Sequence, residues 1–220
     1  MPLDTKKLFA LALLSGLASA AQAQTVLKAG TIQLGGNVGY ARTSVETPVN
    51  SGGYYTTKQT NVNSQFSVAP SIGYFVADNL AVGIDGAYQI NRYKQTQGYT
   101  AYDEKAEQFR LGAFVQYYKM VSEQFGFTGT LAGGYQHFGQ PSNFNDRATK
   151  GAYANLTPGI VFFPIPKLAI GASIGGINYA YTSFKTPSSF TDSDTYASSS
   201  FGADFGLSQL LFSGTYYFGR

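Results

Sequence analysis

Residues 66–90 read FSVAPSIGYFVADNLAVGIDGAYQI, two runs in which large apolar residues alternate with small or polar ones on either side of Asp78-Asn79. In the first run Phe66, Val68, Ile72 and Tyr74 share one parity, and Gln65, Ser67, Ala69, Ser71 and Gly73 share the other. In the second, Leu80, Val82, Ile84, Tyr88 and Ile90 oppose Ala81, Gly83, Asp85, Ala87 and Gln89. A period of two is the signature of a strand with two unlike faces.

Six further segments repeat the pattern. Their apolar sets are Ile32, Leu34, Val38 and Tyr40; Phe109, Leu111, Val115 and Tyr117; Phe125, Phe127, Leu131 and Tyr135; Leu156, Ile160 and Phe162; Leu168, Ile170, Ala172 and Ile174; and Leu210, Phe212, Tyr216 and Phe218. Phe201, Ala203 and Phe205 fall on the opposite parity to Leu210 and Phe212, which predicts a bulge near Ser208.

The second face decides what surrounds these strands. In a soluble sandwich or barrel it meets water and carries Lys and Glu. Here it is Gly, Ala, Ser, Thr, Asn and Gln, and charged residues make up only 12% of the chain. Small polar residues suit the confined interior of a narrow barrel whose apolar face meets lipid. The expected fold is all-β, an eight-stranded antiparallel up-and-down transmembrane β-barrel. Ala81, on the small parity, is expected to face a polar lumen, and Phe114, Tyr118, Tyr153 and Tyr217 to fill it.

The start of the chain indicates export. Lys6 and Lys7 precede an apolar run, Leu8 to Leu14, and small residues follow up to Ala21-Gln22-Ala23. The run is shorter than the roughly 18 to 20 residues of a spanning helix. Residues 1–23 therefore read as a signal peptide and 24–220 as one outer-membrane β-barrel domain. No later stretch makes a spanning helix, so membrane insertion has to be by strands.

The links alternate in length. Those centred on Asp78-Asn79, Ser122-Glu123 and Pro164 to Lys167 are short. The other four are long loops that hold Lys58, Lys94, Asp103, Glu104, Lys105, Asp146, Arg147, Lys150, Lys185, Asp192 and Asp194. Short turns on one side and long charged loops on the other are the asymmetry of outer-membrane barrels. Tyr40, Tyr88 and Tyr135 near the loops, with Tyr74, Tyr117 and Tyr216 near the turns, mark two aromatic girdles. Pro70 and Pro158 remove ladder donors within strands and are assigned to bulges.

The stretches PSIGYFVADNLAVGI, from Pro70, and PGIVFFPIPKLAIGA, from Pro158, align without gaps at an offset of four strands. This aromatic, turn, Leu-Ala-[Val/Ile]-Gly pattern resembles the small bacterial outer-membrane β-barrel, porin-like family of OmpA/OmpX-type size. The resemblance implies a place in the bacterial outer membrane, surrounded by lipid and lipopolysaccharide, and insertion by the barrel assembly machinery.

The residues offer little chemistry. There is no Cys, and His137 is the one His, so neither a disulfide nor a soft metal site is expected. The acidic residues lack the spacing of a calcium loop. His137 has no closely spaced Ser partner, only Ser142 beyond Pro141, which argues against a lipid-modifying enzyme. No cofactor is expected. Without residues 1–23 the chain carries 13 basic against 11 acidic residues, which predicts no nucleic-acid partner. Asp85 and Arg110, on neighbouring strands and both inward, are expected as a lumen charge pair. The expected role is structural or surface interaction, with a possible extracellular ligand met by the loops. A passive small-solute pore is the alternative, disfavoured because eight strands leave an interior about filled by side chains.

Protein purified from membranes should show a mass that begins at Gln24 and circular dichroism dominated by strand. A retained Met1 would remove the export reading.

Overall fold

A computed structural model describes residues 27–51, 55–97, 100–140, 147–186 and 194–219. The proposed signal peptide, Asp146 and Asp192 lie outside the described residues. Eight strands follow in chain order: β1 (Ile32–Ser51), β2 (Tyr55–Ala77), β3 (Leu80–Gln97), β4 (Thr100–Met120), β5 (Phe125–Gln140), β6 (Arg147–Ile165), β7 (Leu168–Thr186) and β8 (Asp194–Phe218). Each pairs antiparallel with the next, and β8 returns to β1, so the sheet is a closed up-and-down barrel.

Alternation places the side chains as the sequence implies. Ile72, Ile84, Leu111, Val115, Leu131, Ile160 and Ile170 are exposed on the outer wall, while their strand neighbours turn inward. A continuous outer belt of large apolar residues is a surface for lipid, because soluble monomers rarely expose so wide an apolar patch. The three short links are tight: Asp78-Asn79, Val121 to Gln124, and Pro166-Lys167.

The four long links differ from expectation. Much of the sequence read as loop is strand: β1 and β2 stay in register to Ser51↔Tyr55, β3 and β4 to Gln97↔Thr100, and β7 and β8 to Thr186↔Asp194. Backbone pairing needs no apolar face, and Thr, Val and Tyr in these stretches favour extended backbone. The result is a set of long hairpins projecting from the barrel end opposite the tight turns.

The two prolines behave differently. Pro158 lies where the β6–β7 register shifts, between Leu156↔Ile177 and Gly159↔Ser173. The extra residue is on β7, where Gly175 has φ +99 and a side chain would strike the Asp204 carbonyl oxygen at 2.0 Å. Pro70 sits in no bulge. Val68↔Tyr88 and Ser71↔Asp85 keep one register, and the ladder to β3 lapses at Ala69 and Pro70, because a proline has no N–H to contribute. The bulge expected near Ser208 is present and large: Ile174 pairs with Leu210 while Gly175 pairs with Phe205, so β8 carries four extra residues there.

Closure is uneven. β1 and β2 are paired along twenty positions, but β1 and β8 only over five, from Ile32↔Phe218 to Gly36↔Gly214. Beyond Gly36 the two strands diverge as edges of separate hairpins, and residues 41–48 of β1 and 196–201 of β8 are exposed on both faces.

Ile84 is 57% exposed on the outer wall. Ile84→Arg should cost about 2 to 4 kcal/mol in refolding into lipid vesicles, the cost of a cation facing the bilayer interior. The same change at Ser198, on the projecting part of β8, should stay within about 0.5 kcal/mol. Equal effects would mean that the outer wall does not face lipid.

Candidate functional site

The lumen is built upward from the turn end. Each descending strand finishes in two adjacent aromatics: Tyr74-Phe75, Tyr117-Tyr118, Phe162-Phe163 and Tyr216-Tyr217. Alternation sends the first of each outward and the second inward. Phe75, Tyr118, Phe163 and Tyr217 are all buried, whereas Tyr74, Tyr117, Phe162 and Tyr216 are exposed to the surroundings of the barrel. The inward four converge, with ring centroids 5.4 Å apart for Phe75–Tyr118, 5.2 Å for Phe163–Tyr217 and 6.2 Å for Phe75–Tyr217. Leu27, Ala81, Met120, Val161 and Ala169 complete this apolar cluster.

Ala81 does point inward, but at its level the interior is this cluster and not a polar lumen, so a charge there would have no partner. The segment before β1 completes the seal. The Leu27 N–H donates to Asn79 Oδ1 at 2.9 Å, and the Asn79 N–H returns a bond to the Leu27 carbonyl at 2.8 Å. Asn79 sits at φ 63, a left-handed conformation that asparagine tolerates.

A polar layer covers the aromatic cluster. The Tyr118 hydroxyl lies 2.8 Å from Gln33 Oε1, 2.9 Å from Gln116 Oε1 and 3.0 Å from the Tyr217 hydroxyl. Gln33 Nε2 donates to Gln116 Oε1 at 3.0 Å. Buried amides and hydroxyls thus satisfy one another at the boundary between plug and lumen.

Above this layer lie two cavities. The lower, of about 250 Å3, is lined by Asp85, Gln116, Asn155 and a series of Ser and Thr hydroxyls. The upper, of about 560 Å3, is lined by Arg110, Asp204, Asn178 and several glutamines. Asn155 and Thr157 border both.

Asp85 and Arg110 meet at Tyr153. Its hydroxyl donates to Asp85 Oδ2 at 3.2 Å, and the Arg110 guanidinium carbon lies 5.2 Å from its ring centroid, a cation–π contact. No ion pair joins the two charges directly among the described residues. Tyr153 reaches this position because Gly112 lacks a side chain; a Cβ there would lie 2.3 Å from the tyrosine oxygen. Gly83 makes room for Phe114 in the same way, with a Cβ distance of 2.6 Å to its ring. Sequence reading found the charges and identified Tyr153 as a filler, but missed its bridging position. It also missed Phe75 and Phe163, whose signal was the four aromatic doublets.

The projecting hairpins carry ion pairs. Arg92 donates to both Asp103 oxygens, at 2.9 and 2.6 Å, Lys94 lies 3.6 Å from the same carboxylate, and Lys105 pairs with Glu107. Hydrogen bonding from Arg92, and then its charge, hold the Asp103 carboxyl below its ordinary range. On β5, His137 stands opposite Phe109 and Lys150, and its Nδ1 is buried without a hydrogen-bond partner.

No protein-family model and no curated protein matches the chain. Among solved structures it is similar to the outer membrane protein OprG of Pseudomonas aeruginosa, at 18% identity over 88% of this chain and 98% of that one, with a TM-score of 0.48. It is also similar to Ail, the attachment invasion locus protein of Yersinia pestis, at 16% identity over 86% and 99%, TM-score 0.36. Ail has been solved with the heparin analogue sucrose octasulfate as well. Outer Membrane Protein W of E. coli matches at 14% identity over 87% and 100%, TM-score 0.38. At these identities the likeness reaches no further than the fold, which the strand pairing displays directly.

Tyr153→Phe leaves Asp85 Oδ2 without its donor and should cost about 1 to 3 kcal/mol in urea unfolding. Gly112→Ala should displace the same hydroxyl, so the double variant should cost less than the sum of the singles. Additive losses would break the link between Gly112 and Tyr153.

The Arg92–Asp103 pair gives the β3–β4 hairpin an acid limit. Because the Asp103 pKa is depressed, the contribution is complete above the ordinary carboxylate range and is lost as pH falls through the depressed value. Amide exchange at Tyr93 and Asp103, corrected for its intrinsic rate, should stay slow near neutrality and accelerate below about pH 4. Asp103→Asn should abolish that step.

Proposed function

We propose that the chain is a non-enzymatic protein of the bacterial outer membrane, exported by residues 1–23, whose role is structural or one of surface interaction through its external hairpins. The observation that carries this reading is the aromatic plug: Phe75, Tyr118, Phe163 and Tyr217 are buried and packed together across the turn end, filling the lumen there with side chains. Contact with the outside is left to the hairpins, whose long paired strands present polar side chains on both faces.

In this reading the tight turns are periplasmic, lipid and lipopolysaccharide surround the belt, and the barrel assembly machinery inserts the chain. An extracellular ligand would meet the hairpins, and the near balance of charge gives nucleic acid no hold. The His137 Nδ1, buried without a hydrogen-bond partner, with Phe109 and Lys150 across the neighbouring strands, supports the non-enzymatic reading.

The register makes a clean test possible. Thr43 pairs with Asn63 and Ala180 with Ser200, so deleting residues 43–63 or 180–200 shortens a hairpin without shifting the barrel ladder. Both variants should refold and insert. Adhesion of cells displaying them to coated surfaces should fall relative to the full chain, and unchanged adhesion would place the function elsewhere.

A second reading, the small-solute pore, has one observation in its favour. Backbone pairing between β1 and β8 stops at Gly36, and a sideways exit from the lumen would lie there. Faster uptake of an uncharged apolar dye by cells that make the protein would favour it.

In planar bilayers the protein should show no stable large single-channel steps. Truncating the plug in a Phe75→Ala, Phe163→Ala, Tyr217→Ala triple variant should introduce them. Large steps from the unaltered chain would refute the plug.

A further inference from the structure

The lumen contains polar atoms that its own hydrogen bonds leave over. Asp85 Oδ1 and Asn155 Oδ1 are buried and accept no hydrogen bond, and both residues line the lower cavity. Both are acceptors. An acceptor shut away from water and left unpaired carries a desolvation cost, and the cost is larger for a carboxylate oxygen.

The charges point the same way. Among the described residues Asp85 is the one charged group lining the lower cavity, while Arg110 and the exposed Asp204 border the upper one. Arg110 borders the upper cavity and reaches Asp85 only through Tyr153, whose hydroxyl occupies the other oxygen, Oδ2. Water can satisfy both orphan acceptors but leaves the charge uncompensated. A bare metal ion needs several clustered ligands, and the described residues contain no such group. A primary ammonium supplies one positive charge and three N–H donors.

We propose that the lower lumen cavity binds a primary ammonium group, donating to Asp85 Oδ1 and Asn155 Oδ1. Its third donor meets the hydroxyl lining, where Thr128, Thr157 and Ser173 are available. At about 250 Å3 the cavity accepts more than the ammonium itself, since one water takes roughly 30 Å3 of liquid. Entry is from the hairpin side, through the upper cavity, because the aromatic plug closes the other end. The site does not depend on what the hairpins contact.

The test uses the full mature chain refolded in detergent micelles and followed by two-dimensional NMR, with folding of each variant checked by heat-modifiable gel mobility. Methylammonium chloride should shift the Asn155 side-chain amide and the Asp85 and Thr157 backbone amides saturably. Tetramethylammonium, which has no N–H, and sodium at the same ionic strength should not. Asp85→Asn keeps the shape of the side chain but not its charge, and should weaken methylammonium binding by about tenfold or more. Asn155→Ala should weaken it by several-fold. Tyr153→Phe should instead tighten it, by freeing Asp85 Oδ2. Equal shifts from all three salts would mean charge screening only, and no shift from methylammonium would mean a cavity that holds water only. Either result overturns the site, as does undiminished binding in folded Asp85→Asn.

Discussion

The packing of four aromatic side chains across one end of the barrel is the constraint on which the rest of the molecule depends. Each comes from the same place on a descending strand, one residue after an aromatic that faces outward. One doublet therefore supplies both a ring for the boundary belt and a ring for the plug, through nothing more than the alternation of a strand. The inner rings bury large apolar surfaces against one another and against Leu27, Met120 and Val161. The glutamine–tyrosine layer then ends the apolar region without leaving its polar atoms unmet. A barrel of eight strands is narrow enough for side chains to close it.

The internal repeat acquires a physical meaning in this light. The two copies lie four strands apart in a ring of eight, on opposite sides of the barrel. They bring Phe75 opposite Phe163 and Ala81 opposite Ala169, with all four side chains in the plug. The repeated Pro, Leu, Ala and Gly positions accompany that shared task. The match breaks at the two prolines: near Pro158 the β7 backbone bulges at Gly175, while at Pro70 the ladder only lapses.

Above the plug the wall is governed by the demand that backbone donors and acceptors be paired wherever lipid touches them. Seven of the eight seams meet it over long stretches. The eighth meets it for five residue pairs. The bulge on β8, the bulge at Gly175 and the lapse at Pro70 all lie on the strands flanking this seam or one strand removed from it. The upper cavity is lined there by Asn37 of β1 and Leu210 of β8, and beyond it the two hairpins are not paired with each other.

How far this was legible beforehand follows from what alternation can encode. A period of two, with a small polar second face, was sufficient by itself for the eight strands, their inside and outside faces, the tight turns and the bulge near Ser208. These are properties of single strands and their neighbours in sequence. It also placed Asp85, Arg110, Tyr118 and Tyr153 inside. It read the hairpin extensions as loops, because pairing between two polar strands leaves no apolar pattern. It expected Ala81 to face a polar lumen, and Ala81 lies instead in the aromatic cluster. What an inward residue touches depends on the strands across the barrel, and sequence order says nothing of that distance. The bridge of Tyr153 to Asp85, the convergence of Phe75 and Phe163 and the short β1–β8 seam were decided only when the sheet closed. Each joins residues far apart in the chain, at a separation set by how the strands tilt and curl around the barrel.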